Sequence, residues 1–91
     1  MPTTVRSNPA RNRYELEVDG HVAFIEYGLK PGVITLIHTE VPKELGGRGV
    51  GTALARGALE DVRRLGLKVV VRCDFVRAFM AKHPEFDDLL A

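Results

Sequence analysis

Ninety-one residues, 45% of them apolar, suffice for one domain with a core of its own and are too few for two. Thirteen Lys and Arg against twelve Asp and Glu leave a net charge of +1, so the total charge points to neither a nucleic-acid nor a membrane partner. The single cysteine, Cys73, excludes an intramolecular disulfide and suits a reducing, cytoplasmic setting. No apolar run approaches bilayer length, and MPTTVRSNPARNR lacks the apolar segment of a secretory signal.

Residues 1–11, with their Pro, Asn and Ser, are expected as a frayed tail, which puts the single domain at 12–91. RYELEVDG then alternates Tyr14, Leu16 and Val18 against Arg13, Glu15 and Glu17, the period of a half-buried strand. Asp19-Gly20 signals a hairpin. HVAFIEYGL is a second strand, with Val22 and Phe24 on the face opposite Ala23, Ile25 and Tyr27. Pro31-Gly32 marks the next turn, and VITLIHTEV, apolar on both faces and rich in β-branched residues, reads as a central third strand ended by Pro42. Helical spacing follows from about Val50 to Leu65, with Leu54, Ala58, Val62 and Leu65 inward and Gly66 as C-terminal cap. LKVVVRC is expected as a buried fourth strand, and DFVRAFMAKH as a helix with Asp74 at its N-cap and Phe75, Phe79 and Met80 packed inward. Phe86 also reads as core, and EFDDLLA fits either a last helical turn or a short edge strand. The order β-β-β-α-β-α is an α+β fold: an antiparallel meander, then a β-α-β crossover.

Between the third strand and the first helix, ELGGRGVGTALARG holds five glycines in fourteen residues. A helix start leaves backbone N–H groups without partners and carries a partial positive charge. Glycines leading into it let an anion, phosphate above all, approach the backbone. Gly46, Gly47, Gly49 and Gly51 stand where such a site would form; the alternative is a flexible surface loop. A P-loop would need Lys-Ser/Thr after its last glycine, where Gly51 is followed by Thr52-Ala53, and a dinucleotide site would need G-x-G-x-x-G in a longer β/α chain.

GGRGVGTALARGALE resembles the acetyl-CoA pyrophosphate loop of the GNAT N-acetyltransferases, whose pattern is Gln/Arg-x-x-Gly-x-Gly/Ala. HTEVPKELGGRGVGTAL and VRCDFVRAFMAKHPEF narrow the resemblance to the small single-domain, YjdJ-like acetyltransferases, from about residue 13 to the C-terminus. If Gly49 and Gly51 fill the last two positions of the pattern, Gly46 falls where Gln or Arg is usual, and Arg48 or the backbone amides must supply the positive charge. The resemblance implies a GNAT-like fold with splayed central strands and acetyl-CoA, as cosubstrate, in the gap. Gly46, Gly47, Arg48, Gly49, Val50, Gly51 and Thr52 are the expected cofactor-binding residues.

Acetyl transfer to an amine requires a base for the ammonium, stabilisation of the oxyanion and a proton for the leaving thiolate. His38 and Glu40, two apart on a strand, share a face and are the candidate bases; the structural alternative is a hydrogen-bonded sheet histidine and a solvated glutamate. Cys73, which the resemblance puts beside the thioester, is a candidate nucleophile or proton donor, or else a small core residue. At the end of a strand it is expected to be accessible. Arg72 and a following helix start favour its thiolate, and Asp74 opposes it. Both tyrosines, Tyr14 and Tyr27, lie in the early hairpin, so neither matches the tyrosine acid of larger GNAT enzymes. His83 reads as a cap for the last helix, and no Cys/His spacing suggests a metal site.

The leading reading is an acetyl-CoA-dependent N-acetyltransferase acting on a small amine or an exposed lysine, as a monomer or weak dimer. The alternatives are a CoA- or acyl-CoA-binding module with little turnover, and a domain that binds nucleotide phosphates.

Overall fold

The alternation in RYELEV builds strand β2 (Arg13–Val18) and that in HVAFIEYGLK builds β3 (His21–Lys30). They pair antiparallel, Tyr14 opposite Ile25 and Leu16 opposite Ala23, all four buried. Asp19 and Gly20 between them have φ of 51° and 80°, the two positive values that fit a tight turn to the twist of its strands. Gly32, at φ 78°, turns the chain into β4 (Val33–Glu40). The computed structural model describes residues 4–91.

The expected tail is a correction. Residues 6–8 form a strand, β1 (Arg6–Asn8), antiparallel to β2, and Pro9–Arg11 is a 3-10 turn closed by Asn12 at φ 54°. Long-range contacts hold it: the Ser7 and Tyr27 hydroxyls lie 3.1 Å apart, and Asn8 Nδ2 donates to Glu15 Oε2 at 3.0 Å. Val5 packs so closely on α1 that any Cβ at Gly57 would collide with it. Residues 1–3 of the expected tail lie outside the described residues.

Helix α1 (Val50–Arg64) buries Leu54, Ala58 and Val62 as expected, together with Val50, Ala55 and Leu59. Leu65, expected inward, is 50% exposed because the helix ends one residue before it. Gly66, at φ 72°, caps that end: Leu67 N–H donates to the Val62 carbonyl and Gly66 N–H to that of Arg63, both at 3.1 Å. Strand β5 (Lys68–Val71) is parallel to β4 and completes the sheet order β1-β2-β3-β4-β5. It is the outer strand and not a buried one, with Val69 fully covered and Val70 39% exposed. Its free edge is screened by the C-terminus, which is both things its sequence allows: a 3-10 turn over Pro84–Leu89, then a bridge from Leu90 to Val69.

Helix α2 (Asp74–Ala81) has Cys73, not Asp74, as its N-cap residue. Val76, Phe79 and Met80 are buried, whereas Phe75, expected as core, is 42% exposed because its ring lies on the surface of α1 over Gly51. Phe86 is buried as expected. The inward residues of the sheet and of both helices form one core, on one face of the sheet. No element among the described residues covers the other face, and no helix among them is long and apolar enough to cross a membrane.

Strand β4 carries the feature that shapes the site. Tyr27 lies opposite Leu36 and Glu26 opposite His38, so Ile37 is an extra residue, a β-bulge. The bulge shifts the alternation by one. Before it Ile34 and Leu36 face the core; after it Thr39, opposite Ile25, does so, and His38 and Glu40 face away. The apolar run that reads as two buried faces is thus one buried face plus a bulge. The parallel ladder to β5 covers only Val33 to Leu36, closing with Arg72 N–H on the Leu36 carbonyl at 2.9 Å. From Ile37 onward β4 has no ladder partner on that side, and the central strands splay.

Candidate active site

The glycine-rich segment leaves the splayed end of β4 through a short 3-10 turn, Lys43–Leu45, anchored by buried Leu45. Gly47 and Gly49 have φ of 75° and 73°, values costly for other residues, and nothing stands within 4 Å of where their side chains would be. Gly49 is the N-cap of α1, with no side-chain hydrogen bond to the first turn. A bare backbone and a fifteen-residue helix with an uncapped start are therefore juxtaposed. That donor set suits a pyrophosphate.

The other loop residues have different surroundings. Gly46 is extended (φ −62°, ψ 144°), a conformation open to any residue. Arg48 pairs with Asp19 of the β2–β3 turn at 2.8 Å, so an anion taking its guanidinium competes with that carboxylate. Val50 is buried in the core and Thr52 is exposed. Gly51 is small for a packing reason: a Cβ there would lie 2.6 Å from the Phe75 ring. A groove of about 430 Å³ runs beside the loop, lined by Val18, Asp19, Arg48, Gly49 and Ala53 among others.

The loop also fits the motif in a second register. Arg48-Gly49-Val50-Gly51-Thr52-Ala53 satisfies Gln/Arg-x-x-Gly-x-Gly/Ala in full, with its arginine in place, and these six residues straddle the N-terminus of α1. In that register Gly46 stands outside the pattern. Ala53 is the position that counting glycines overlooks.

His38 and Glu40 meet on the open face, Nε2 to Oε1 at 2.8 Å, with side chains 55% and 58% exposed. Cys73 lies on the core side of the splay. Its thiol is not accessible as expected: the residue is only 6% exposed, and Sγ lies 2.9 Å from Thr39 Oγ1. Where the ladder has ended, this side-chain hydrogen bond joins the two arms. The backbone around Cys73 is extended (φ −94°, ψ 122°) and leads into α2, so the thiol adjoins a helix start. Asp74 points into solvent and pairs with Arg77 at 3.2 Å.

His83 clips three elements together instead of capping a helix with its ring. The imidazole stacks on Phe79 at 4.1 Å, and Nδ1 lies 3.3 Å from Arg56 of α1 and 3.4 Å from Glu85. A small cleft of about 150 Å³ between α1 and α2 is lined by Thr52, Phe75, Phe79, Lys82 and His83. Tyr14, away from the splay, donates its hydroxyl proton to Asp61 Oδ2 at 2.7 Å, and burial raises its pKa well above the ordinary phenol value.

The chain is similar to known proteins in sequence and fold. The family model described as GCN5-related N-acetyl-transferase matches residues 13–89. Protein NATD1 of Bos taurus is 31% identical over 87 residues, which cover 91% of this chain and 76% of that protein. Its Mus musculus counterpart is 30% identical, over 91% of this chain and 78% of that one. The NMR solution structure of a GCN5-like protein from Staphylococcus aureus aligns with a TM-score of 0.72 at 28% identity, over 96% of this chain and 86% of that one. With the family pattern covering nearly all of a five-stranded sheet that splays after Leu36, the chain belongs to the GCN5-related N-acetyltransferases.

Proposed function

We propose that the protein transfers the acetyl group of acetyl-CoA to an amine at the splayed end of β4. The observation that carries this reading is the parting of β4 from β5 beside an uncapped glycine-rich helix start, with His38 and Glu40 on one side of the gap and Cys73 on the other. Acetyl-CoA supplies an activated acyl carbon and a thiolate leaving group.

In this reading Arg48, the backbone N–H groups from Gly49 to Thr52 and the exposed first turn at Ala53 hold the pyrophosphate; the positive φ of Gly47 and Gly49 keeps the approach bare. The His38–Glu40 pair takes a proton from the incoming ammonium, Glu40 supporting the positive charge that arises on the imidazole. The freed amine adds to the acyl carbon, the C–S bond breaks, and the sulfur leaves as thiolate. Cys73 gives it a proton, and its own sulfur charge is stabilised by the Thr39 hydroxyl and the start of α2. The acetylated nitrogen sheds its surplus proton, which restores the Cys73 thiol; the amide product and the CoA thiol are formed, and the proton held by His38 goes to solvent.

Calorimetry with acetyl-CoA, CoA and ATP, followed by thiol release in the presence of amines, tests the reading. Binding of acetyl-CoA ahead of ATP together with amine-dependent thiol release supports it. Tighter binding of ATP would leave only a nucleotide-phosphate site. The exposure of His38 and Glu40 favours a second reading, a CoA-binding module without turnover, which predicts binding but no thiol release with any amine.

A further inference from the structure

The face bearing His38 and Glu40 has a distinct charge pattern. Register puts Arg13, Glu26 and His38 in one row across β2, β3 and β4, with Glu15, Phe24 and Glu40 in the next and Glu17 and Val22 beyond. Arg13 is already engaged, donating to Glu15 at 2.6 Å with its guanidinium 4.3 Å above the Phe24 ring. Glu40 is bonded to His38, and Glu17 and Glu26 form no ion pair with any described residue. The other arginines near this end stand at its margins: Arg6 on β1 opposite Glu15, Arg11 close enough to act on the charge of Glu15, and Arg72 just after β5. The lysines of the face, Lys30 and Lys68, lie in the row at the far end, across Val33. Two carboxylates without ion-pair partners thus flank the Glu15–Phe24–Glu40 row where β4 outruns β5, Glu26 on one side and Glu17, toward the β2–β3 turn, on the other. Val22 and Ile37, 37% and 48% exposed, add apolar surface among them.

We infer that this face binds a cationic polypeptide segment and that the acetyl acceptor is a lysine within it; the inference rests on the acetyltransferase reading above. Strands β2 to β4 span about 10 Å, a width that an extended segment crosses with about three residues at ~3.3 Å each. Such a segment neutralises Glu17 and Glu26 while its lysine reaches His38 and Glu40, and its backbone and side-chain stems cover Val22, Phe24 and Ile37. A small amine satisfies one carboxylate and meets no enclosing wall. A second copy of the chain on a twofold axis sets these carboxylates against their own kind.

The test uses the intact protein with three acceptors: a short Arg/Gly peptide with one central lysine, the matched Glu/Gly peptide, and spermidine. The expected KM for the cationic peptide is at least about tenfold below that for the acidic one and rises with salt. In Glu17→Gln/Glu26→Gln it rises by about tenfold, with kcat and acetyl-CoA affinity unchanged. Amide shifts induced by the cationic peptide should map to residues of β2, β3 and the end of β4, whether or not acetyl-CoA is bound. Equal KM values for the two peptides, spermidine used as well as the peptide, shifts confined to another face, or self-association through this face in sedimentation each overturn the inference. A protein that fails to bind acetyl-CoA in calorimetry overturns the parent reading instead, and the shift map still decides the surface.

Discussion

The two halves of β4 are one continuous strand with opposite duties. From Val33 to Leu36 it is paired on both edges, and Ile34 and Leu36 are 2% and 0% exposed. From Ile37 to Glu40 it is paired only with β3, and its polar side chains stand in solvent or across the gap from Cys73. A single extra residue separates them. The bulge turns His38 and Glu40 away from the core and Thr39 toward Cys73, so one insertion assigns a proton acceptor to one side of the gap and a thiol to the other. The first half holds the fold, and the second gives up a ladder to leave a binding edge open.

That division predicts opposite phenotypes. The largest effect belongs to the open half: with a verified acceptor, His38→Ala and Glu40→Gln should lower kcat by about 10²–10⁴-fold, the range of a general base. Melting temperature and acetyl-CoA affinity should hardly change, since both side chains are more than half exposed. Full activity in both variants would return the pair to a surface hydrogen bond. Leu36→Ala, in the sealed half, should do the reverse. It leaves a cavity in the core at a cost of about 2–5 kcal/mol, read as a lower denaturation midpoint, and the surviving folded fraction should keep its affinity for acetyl-CoA.

The glycine loop sharpens the comparison because its glycines are small for different reasons. Gly49→Val fills a bare approach and strains a positive φ, and should weaken CoA binding by at least about tenfold, or ~1.4 kcal/mol. Gly51→Val is a poorer probe of the ligand, since the side chain would strike Phe75 first. Gly51→Ala with Phe75→Ala separates the two effects. If the pair restores stability and CoA binding remains weak, the residue at 51 meets the ligand as well as the ring.

Much of this was written locally in the sequence. Alternation gave β2 and β3 their faces, Asp19-Gly20 and Pro31-Gly32 their turns, and Gly66 the helix end. What escaped depended on partners distant in the chain. β1 looks like a tail because its Pro, Asn and Ser are turn formers, and only Tyr27, Glu15 and Gly57 show why it stays in place. The bulge is invisible in VITLIHTE because an extra isoleucine in an apolar strand mimics a second buried face. At the site, the glycine loop of residues 46–52 was legible as a motif, and His38, Glu40 and Cys73 as chemistry. That Cys73 is buried under a hydrogen bond to Thr39 depended on the splay, which no local pattern encodes. The Thr39–Cys73 bond is also the natural place to look for coupling between the arms. Thr39→Val should cost only ~1 kcal/mol of stability, whereas alkylation of Cys73, slow in the folded protein because of its burial, should speed up as the bond is lost. An unchanged alkylation rate would mean that core packing alone shields the thiol.

The smallest expected effect lies away from the splay, at Tyr14 of β2. Its hydroxyl donates to Asp61 while Arg64 holds the other carboxylate oxygen at 2.7 Å, so Tyr14→Phe leaves Asp61 with one partner and should cost about 1 kcal/mol at neutral pH. Burial, and then the bond to Asp61, raise the folded-state pKa of this phenol above its unfolded value near 10. The neutral phenol is therefore the form that the fold favours. Its contribution is fully present below about pH 10 and is lost as pH climbs above that value, because the unfolded chain releases a proton that the folded chain retains. The wild type should thus lose stability on the alkaline side more steeply than Tyr14→Phe, and the gap between them should close as pH rises. Denaturant midpoints measured from neutral to strongly alkaline pH decide it. A constant gap across that range would mean that Tyr14 ionises as readily in the fold as in the open chain, and that the hydroxyl reaches water on the way to Asp61.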